Sequence, residues 1–223
     1  MTTAQAMSQL TSPDPNRAPG VTIGRARVSD GSALWRLARD SGELDVNSPY
    51  SYLLWCRDFA DTTAVARDAE GRPVGFVTGF LRPDAPRTLF VWQVAVEGSH
   101  RGTGVAGALL DALSARVAAE RGLDRLEATV TPGNRPSDRL FRAYARRHGA
   151  TVTQEVLFPS TAFPDAPDAD RAGGEHREDG QDRATHEGRT TREGRADRAD
   201  HEVGAERPGH DPEVLYRIGP LTH

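Results

Sequence analysis

Lysine is missing from all 223 residues, so the 28 basic side chains are all arginine. Without lysine no Schiff base can form on this chain and no Gly-Lys-Ser/Thr loop can hold a nucleotide. Pyridoxal enzymes and P-loop NTPases are thereby excluded. Cysteine is nearly missing too. Cys56 stands alone, which rules out an internal disulfide, a thiolate zinc site and a Cys-x-x-Cys redox pair, and a reducing, cytoplasmic setting is expected. No run of about 18 apolar residues occurs, and the N-terminal region lacks the apolar stretch of a signal peptide, so neither a membrane span nor export is expected. A formal charge of −4 at pH 7 lacks the basic excess of a nucleic-acid binder. Neither nucleic acid nor membrane is expected as a partner, and no metal site is expected.

What is present is unevenly distributed. Residues 1–19 carry Thr, Ser, Gln, Pro and Asn with little apolar pattern and read as a disordered tail. Residues 164–209 form a second polar stretch. From 165 to 210 there are 13 acidic residues against 8 arginines, the apolar content is almost all alanine, and Arg171, Arg177, Arg183, Arg189 and Arg195 recur every six residues. Six is neither a helical nor a coiled-coil period, and nothing there can be buried, so a disordered charged insertion is expected. The alternative is a histidine-bearing metal or partner tract. Residues 20–163 read as one folded domain, completed by residues 210–223, where Pro212 to Ile218 restores a strand pattern.

Within the domain, Val21, Ile23 and Val28 suggest a first strand, and Ser29 or Asp30 can cap the helix that Gly42 ends. Ser48 followed by Pro49 starts a second helix, running to about Phe59 and apolar over much of its surface. Thr63–Arg67 and Pro73–Phe80 read as a hairpin. Leu89 to Val96 is the most strand-like run. Its alternation predicts Phe90, Trp92, Val94 and Val96 on one face and Leu89, Val91, Gln93 and Ala95 on the other. A strand apolar on both faces is central. A helix from Val105 to about Arg121, a strand over Leu126–Val130, a helix carrying Leu140, Phe141 and Tyr144, and a strand from Thr151 to Phe158 follow.

Between the central strand and the third helix lies Arg101-Gly102-Thr103-Gly104-Val105-Ala106-Gly107. Helix-start N–H groups are unpaired and sit at the positive end of the dipole, and small residues let an anion come close. Two spellings compete for this phosphate cradle. Gly102, Gly104 and Gly107 spell G-x-G-x-x-G, the dinucleotide fingerprint, but five residues separate the first glycine from the strand where that fingerprint wants none. Arg101-x-x-Gly104-x-Ala106 instead spells the pyrophosphate turn of acyl-CoA-dependent N-acetyltransferases.

With Asn134 just after the fifth strand and Leu140-Phe141 six and seven residues on, this order of elements resembles the GNAT acetyltransferases. The resemblance implies an α/β (α+β) GNAT-type fold, a central, mostly antiparallel mixed sheet of about seven strands flanked by helices. A tyrosine commonly stands where Phe141 is and often reprotonates the CoA thiolate, so that acid is lacking. Leu44–Tyr50, Tyr52–Phe59, Phe90–Val96, Leu126–Pro132 and Glu213–Ile218 further resemble the diaminobutyrate acetyltransferases of ectoine biosynthesis. The insertion after Phe163 is not part of that pattern.

The resemblance implies acetyl-CoA as co-substrate, a small diamine as acceptor and a homodimer. Val94, Ala95 and Val96 would hold the acetyl-pantetheine arm, Arg101, Gly102, Thr103, Gly104, Val105 and Ala106 the pyrophosphate, and Asn134 and Phe141 the cofactor arm. Asp45, Tyr50, Trp92, His210 and Glu213 would form the diaminobutyrate pocket, with Asp45 and Glu213 on ammonium groups and Trp92 on the carbon chain. A model amine titrates near 10, so a base is useful; Glu127 and His210 are equal candidates. Competing functions are acetylation of another amine, a CoA-binding interaction module, and a nicotinamide-dependent reductase using Gly102, Gly104 and Gly107.

Overall fold

The computed structural model describes residues 17–18, 20–42, 44–164 and 210–221. Residues 1–16 and 165–209, where the tail and the charged insertion are expected, lie outside the described residues. Among the described residues eight strands form one sheet: β1 (Arg17–Ala18), β2 (Val21–Arg25), β3 (Thr63–Arg67), β4 (Pro73–Arg82), β5 (Ala85–Val96), β6 (Arg125–Val130), β7 (Thr151–Phe158) and β8 (Glu213–Gly219). Their order is β1-β2-β3-β4-β5-β6-β8-β7. Four α-helices among the same residues accompany them: α1 (Gly31–Ser41), α2 (Pro49–Asp58), α3 (Val105–Arg121) and α4 (Arg135–Arg147). Among the described residues β5 and β6 pair in parallel and every other strand pair is antiparallel. A dinucleotide fold needs a parallel, doubly wound sheet, so the competing spelling of the glycine turn fails on topology.

The helices cover opposite faces of the sheet. Leu109, Leu110, Leu113 and Val117 of α3 join Phe141 and Tyr144 of α4 in a cluster with Val77, Leu89, Val91, Leu126 and Ile218. Leu34 and Ala38 of α1 join Tyr52 and Cys56 of α2 in a second cluster with Val65, Phe76 and Ala95. Adjacent residues of β4, Phe76 and Val77, therefore feed different cores, as a two-residue repeat demands.

Three expectations need correction. Arg17 and Ala18, expected in the tail, pair with Thr22 and Val21. Asp30 does not cap α1 with its side chain. Its buried carboxylate instead accepts from the Arg27 backbone at 2.6 Å and from the Arg67 guanidinium at 2.6 Å, tying the helix start to β3. The alternation of β5 also breaks. Thr78 opposes Gln93 while its neighbour Gly79 opposes Val91, so Trp92 is an extra residue, a β-bulge. The bulge flips the pattern: Leu89 and Val91 share the α3/α4 core with Val94 and Val96 packed against it, whereas Ala95 belongs to the α1/α2 core.

One consequence of strand pairing builds the cleft. β5 pairs with β6 from Thr88 to Val91. Beyond Val91, β5 stays with β4 as far as Val96, and β6 stays with β8 as far as Val130. The two central strands part, leaving a wedge whose walls are their own backbones. β8 lies between β6 and β7, so the chain re-enters the sheet beside this wedge with His210 and Glu213 at the near end.

Candidate active site

The wedge opens into two cavities. The larger, of about 680 Å³, is lined by Val94, Ala95 and Val96 of β5, by Arg101, Gly102, Gly104, Val105 and Ala106, and by Asn134 of α4. Gly102 and Gly104 take φ of +77° and +90°, a left-handed conformation in which a side chain is strained. Gly104 caps α3 with no side-chain hydrogen bond, so the first-turn N–H groups are left to an incoming anion. Arg139 and Arg147 add positive charge to this lining, which among the described residues contains no Asp or Glu.

Arg101 serves this turn differently from expectation. Its Nε donates to the Val96 carbonyl and its Nη2 to the Ser41 carbonyl, each at 3.2 Å, so the guanidinium clamps the end of α1 to the end of β5. Thr103 turns away and donates to the His100 carbonyl at 2.7 Å. Backbone, more than side chains, forms the cradle. Asn134 accepts from Ser137 N–H through Oδ1 at 3.0 Å, capping α4, which leaves its NH₂ end as the donor group.

The smaller cavity, of about 300 Å³, is lined by Asp45, Trp92, Gln93, Thr129, Thr131, Phe163, His210 and Glu213 among others. Leu44, Val94, Asn134 and Ser137 line both cavities, so the two meet where β5 and β6 part. Among the described residues its ionisable side chains are Asp45, Glu213 and His210, with no arginine. A basic cavity thus adjoins an acidic one.

His210 is held by three neighbours. Its Nδ1 lies 2.7 Å from the Asp211 carbonyl; a carbonyl can only accept, so Nδ1 carries a proton and the lone pair of the neutral ring is on Nε2. Nε2 lies 3.9 Å from Asp45 Oδ2, and the ring stacks on Phe163 at 3.8 Å and 13°. Glu213 Oε1 accepts from the Thr131 hydroxyl at 3.2 Å.

The model of the acetyltransferase (GNAT) family matches residues 32–145, half of the chain. The chain belongs to the GNAT acetyltransferase family. Within that family it is 59% identical over 206 residues to an L-2,4-diaminobutyric acid acetyltransferase of Streptomyces anulatus, spanning 92% of this chain and 93% of the relative. It is 50% identical to the enzyme of the same description from Streptomyces avermitilis, over 92% and 90% of the two chains. Among solved structures it is similar to the diaminobutyrate acetyltransferase EctA from Paenibacillus lautus in complex with L-2,4-diaminobutyric acid and coenzyme A. That likeness has a TM-score of 0.68 at 34% identity, over 91% of this chain and 96% of that one.

For a GNAT acetyltransferase, several expected site residues are brought together and others are not. Asp45, Trp92, His210 and Glu213 share the acidic cavity, with Phe141 in its wall. Tyr50 does not join them: Ser48 and Pro49 start α2 so that Tyr50 stays 65% exposed while Tyr52 turns into the core. Glu127 does not join them either. Its buried carboxylate is held by Arg82 Nη1 at 2.8 Å and Arg217 Nε at 3.2 Å, and it lines a separate cleft with Thr88, Asp124 and Thr151. Glu127 thus lies outside the acidic cavity whereas His210 lines it, so of the two base candidates the geometry favours His210.

Cys56 cannot carry the acetyl group. Burial, assisted by the negative charge of Asp30, pushes its thiol up to about 11, so thiolate is scarce near neutral pH. Reasoning from sequence passed over Asn47, Thr129, Thr131, Ser137, Phe163 and above all Gln93. The signal at Gln93 was available: it interrupts the apolar run Leu89–Val96 with an amide, and a buried amide needs partners.

Proposed function

We propose that the protein transfers the acetyl group of acetyl-CoA to the 4-amino group of L-2,4-diaminobutyrate, a step toward ectoine. The observation that carries this reading is the pair of cavities of opposite lining charge that meet at Val94 and Asn134. The basic one suits a pyrophosphate and the acidic one a diamine. Acetyl-CoA is the donor, with its phosphates on the N–H groups at the start of α3 and its pantetheine arm along Val94–Val96, where the parted edge of β5 supplies backbone donors to the thioester carbonyl.

The acceptor lies in the smaller cavity. Asp45 and Glu213 attract its ammonium groups, Trp92 packs on its carbon chain, and Asn47 and Thr129 offer neutral donors to its carboxylate. His210 Nε2 takes a proton from the 4-ammonium, freeing the lone pair. That nitrogen attacks the thioester carbonyl, the C–S bond breaks, and the second proton lost by nitrogen goes to the departing thiolate. With Phe141 where a tyrosine is common, the amine itself is the nearest source of that proton. The reaction consumes one positive charge in an acidic pocket, which favours release of the product.

The same reading includes a homodimer acting in the cytoplasm. Tyr50 and Leu53 of α2 and Phe59 just past its end are 65%, 38% and 41% exposed, and Trp92 beside them is 49% exposed. Trp55 stacks between Phe59 and Trp92, at 4.7 and 6.4 Å. An apolar stripe of this kind suits a second copy. Light scattering at micromolar concentration tests it: a monomer mass would remove the dimer from the reading. For the activity, the test is thiol release with acetyl-CoA and 2,4-diaminobutyrate against ornithine, lysine and spermidine, with product mass recorded.

A further inference from the structure

We propose that Tyr52 and Gln93 form a buried relay that positions Asp45 for the acceptor amine, so that affinity for the acceptor depends on two side chains of the core. This rests on the function proposed above insofar as Asp45 holds the amine. The Asp45 side chain is 99% exposed, with His210 Nε2 3.9 Å from its Oδ2. A carboxylate so placed gets its position from its backbone, and the backbone is anchored from inside the core. The Tyr52 hydroxyl, on a side chain with no exposure, donates to Gln93 Oε1 at 3.0 Å. Gln93 Nε2 donates to the Asp45 carbonyl at 2.9 Å.

The direction of this chain of bonds is fixed chemically. The Asp45 carbonyl can only accept, so the amide must present NH₂ to it and its oxygen to Tyr52. Burial pushes the Tyr52 hydroxyl above its ordinary range, and Asn47 approaches the same oxygen through both backbone and side chain. Tyr52 thus remains a protonated donor and grips the loop at a second point. Leu44 packs against the α1/α2 core on one side of Asp45, and Ser48 caps α2 on the other. The bulge at Trp92 is part of the device. Were Trp92 paired in regular alternation instead of bulged, Gln93 would share the face of Leu89 and Val91, among the apolar side chains of α3 and α4, out of reach of Tyr52.

The relay sits on the acceptor side alone, because neither Tyr52 nor Gln93 lines the basic cavity. That makes it separable from a general packing effect. Steady-state kinetics on Tyr52→Phe, Gln93→Met and each of these combined with Asp45→Ala would use the amine that the parent protein acetylates. Roughly a tenfold rise in amine KM is expected for Gln93→Met and somewhat less for Tyr52→Phe, the size of one or two hydrogen bonds. The acetyl-CoA KM should move by less than about twofold, and in the Asp45→Ala background neither change should raise the amine KM much further. Equal rises in both KM values, or full effects that persist without the Asp45 carboxylate, would overturn the proposal.

Hydrogen exchange supplies a readout that needs no substrate. Peptides covering residues 44–48 should exchange faster in both single variants while those covering the start of α3 do not, and unchanged exchange at 44–48 would also overturn it. If the parent acetylates an amine other than 2,4-diaminobutyrate, the proposed substrate fails, and the same kinetics with that amine still decide the relay.

Discussion

The two halves of the cleft are made of different materials. The donor half is backbone: a parted strand edge, two glycines at φ of +77° and +90° and an uncapped helix start, contributed by Val94 to Ala106 with Asn134 added. The acceptor half is side chains, drawn from the loop at Asp45, the bulge at Trp92, the end of β6 and the re-entry at His210 and Glu213. A backbone site recognises what all acyl-CoA molecules share. A side-chain site can be rebuilt for a new amine without disturbing the donor half, which is how one fold serves many acceptors.

A second contrast lies within the sheet. Glu127 on β6 and Glu213 on β8 are carboxylates on paired strands. Glu127 is neutralised by two arginines, whereas Glu213 is met by one hydroxyl, that of Thr131. The first is structure and the second is available for a cation.

These contrasts can be broken by substitution. The largest effect is expected for His210→Phe, a fall of roughly 10²–10³ in kcat, the usual worth of a positioned base, with acetyl-CoA KM nearly unchanged. Initial rates at saturating amine check it. Next is Glu213→Ala, which should raise the diaminobutyrate KM by roughly 30- to 100-fold, as loss of a charged hydrogen bond does, and far more than the acetyl-CoA KM; an equal rise in both would erase the division of the cleft. On the donor side, Gly104→Val places a β-branched residue at φ of +90°, a strain of about 1–3 kcal/mol. Calorimetric affinity for CoA should drop by roughly tenfold or more while the amine KM holds.

Glu127→Gln should cost stability of about 1–3 kcal/mol, because two guanidiniums lose their charged partner, and should change turnover by less than about threefold. Thermal melts beside rate assays would show it, and a catalytic collapse without a melting shift would return Glu127 to the active site. The smallest effect is expected from replacing residues 166–205 with a short linker. Phe163 and His210 flank this segment with their rings 3.8 Å apart, so the two ends already meet, and both KM values should stay within about twofold.

What could be read in the sequence follows the same division. The element order was legible from periodicity and stop signals; the donor half was expected because a glycine turn before a helix leaves N–H groups and room for an anion, and the resemblance at Arg101–Ala106 and Asn134 chose the acyl-CoA spelling. The pocket residues Asp45, Trp92, His210 and Glu213 came from resemblance, since spacing alone does not gather residues so far apart. The side assignment in β5 failed because a bulge depends on the partner strand: nothing local to Trp92 says that Thr78 and Gly79 will oppose Gln93 and Val91. Tyr50 and Tyr52 were confusable for a similar reason. Two residues along a helix turn a side chain to another face, and only the packing of α2 against Phe76 and Ala95 settles which tyrosine goes inside.

The central claim is that the acidic cavity presents the 4-amino group of a short diamine to the thioester. One experiment tests it most directly: purified protein with acetyl-CoA and L-2,4-diaminobutyrate, thiol release followed in time and the product assigned by NMR. One thiol per product molecule, with acetylation at the 4-amino group and slower turnover of ornithine, lysine and spermidine, is the predicted result. Absence of thiol release with diaminobutyrate while another of these amines reacts, or acetylation at the 2-amino group, would contradict the account.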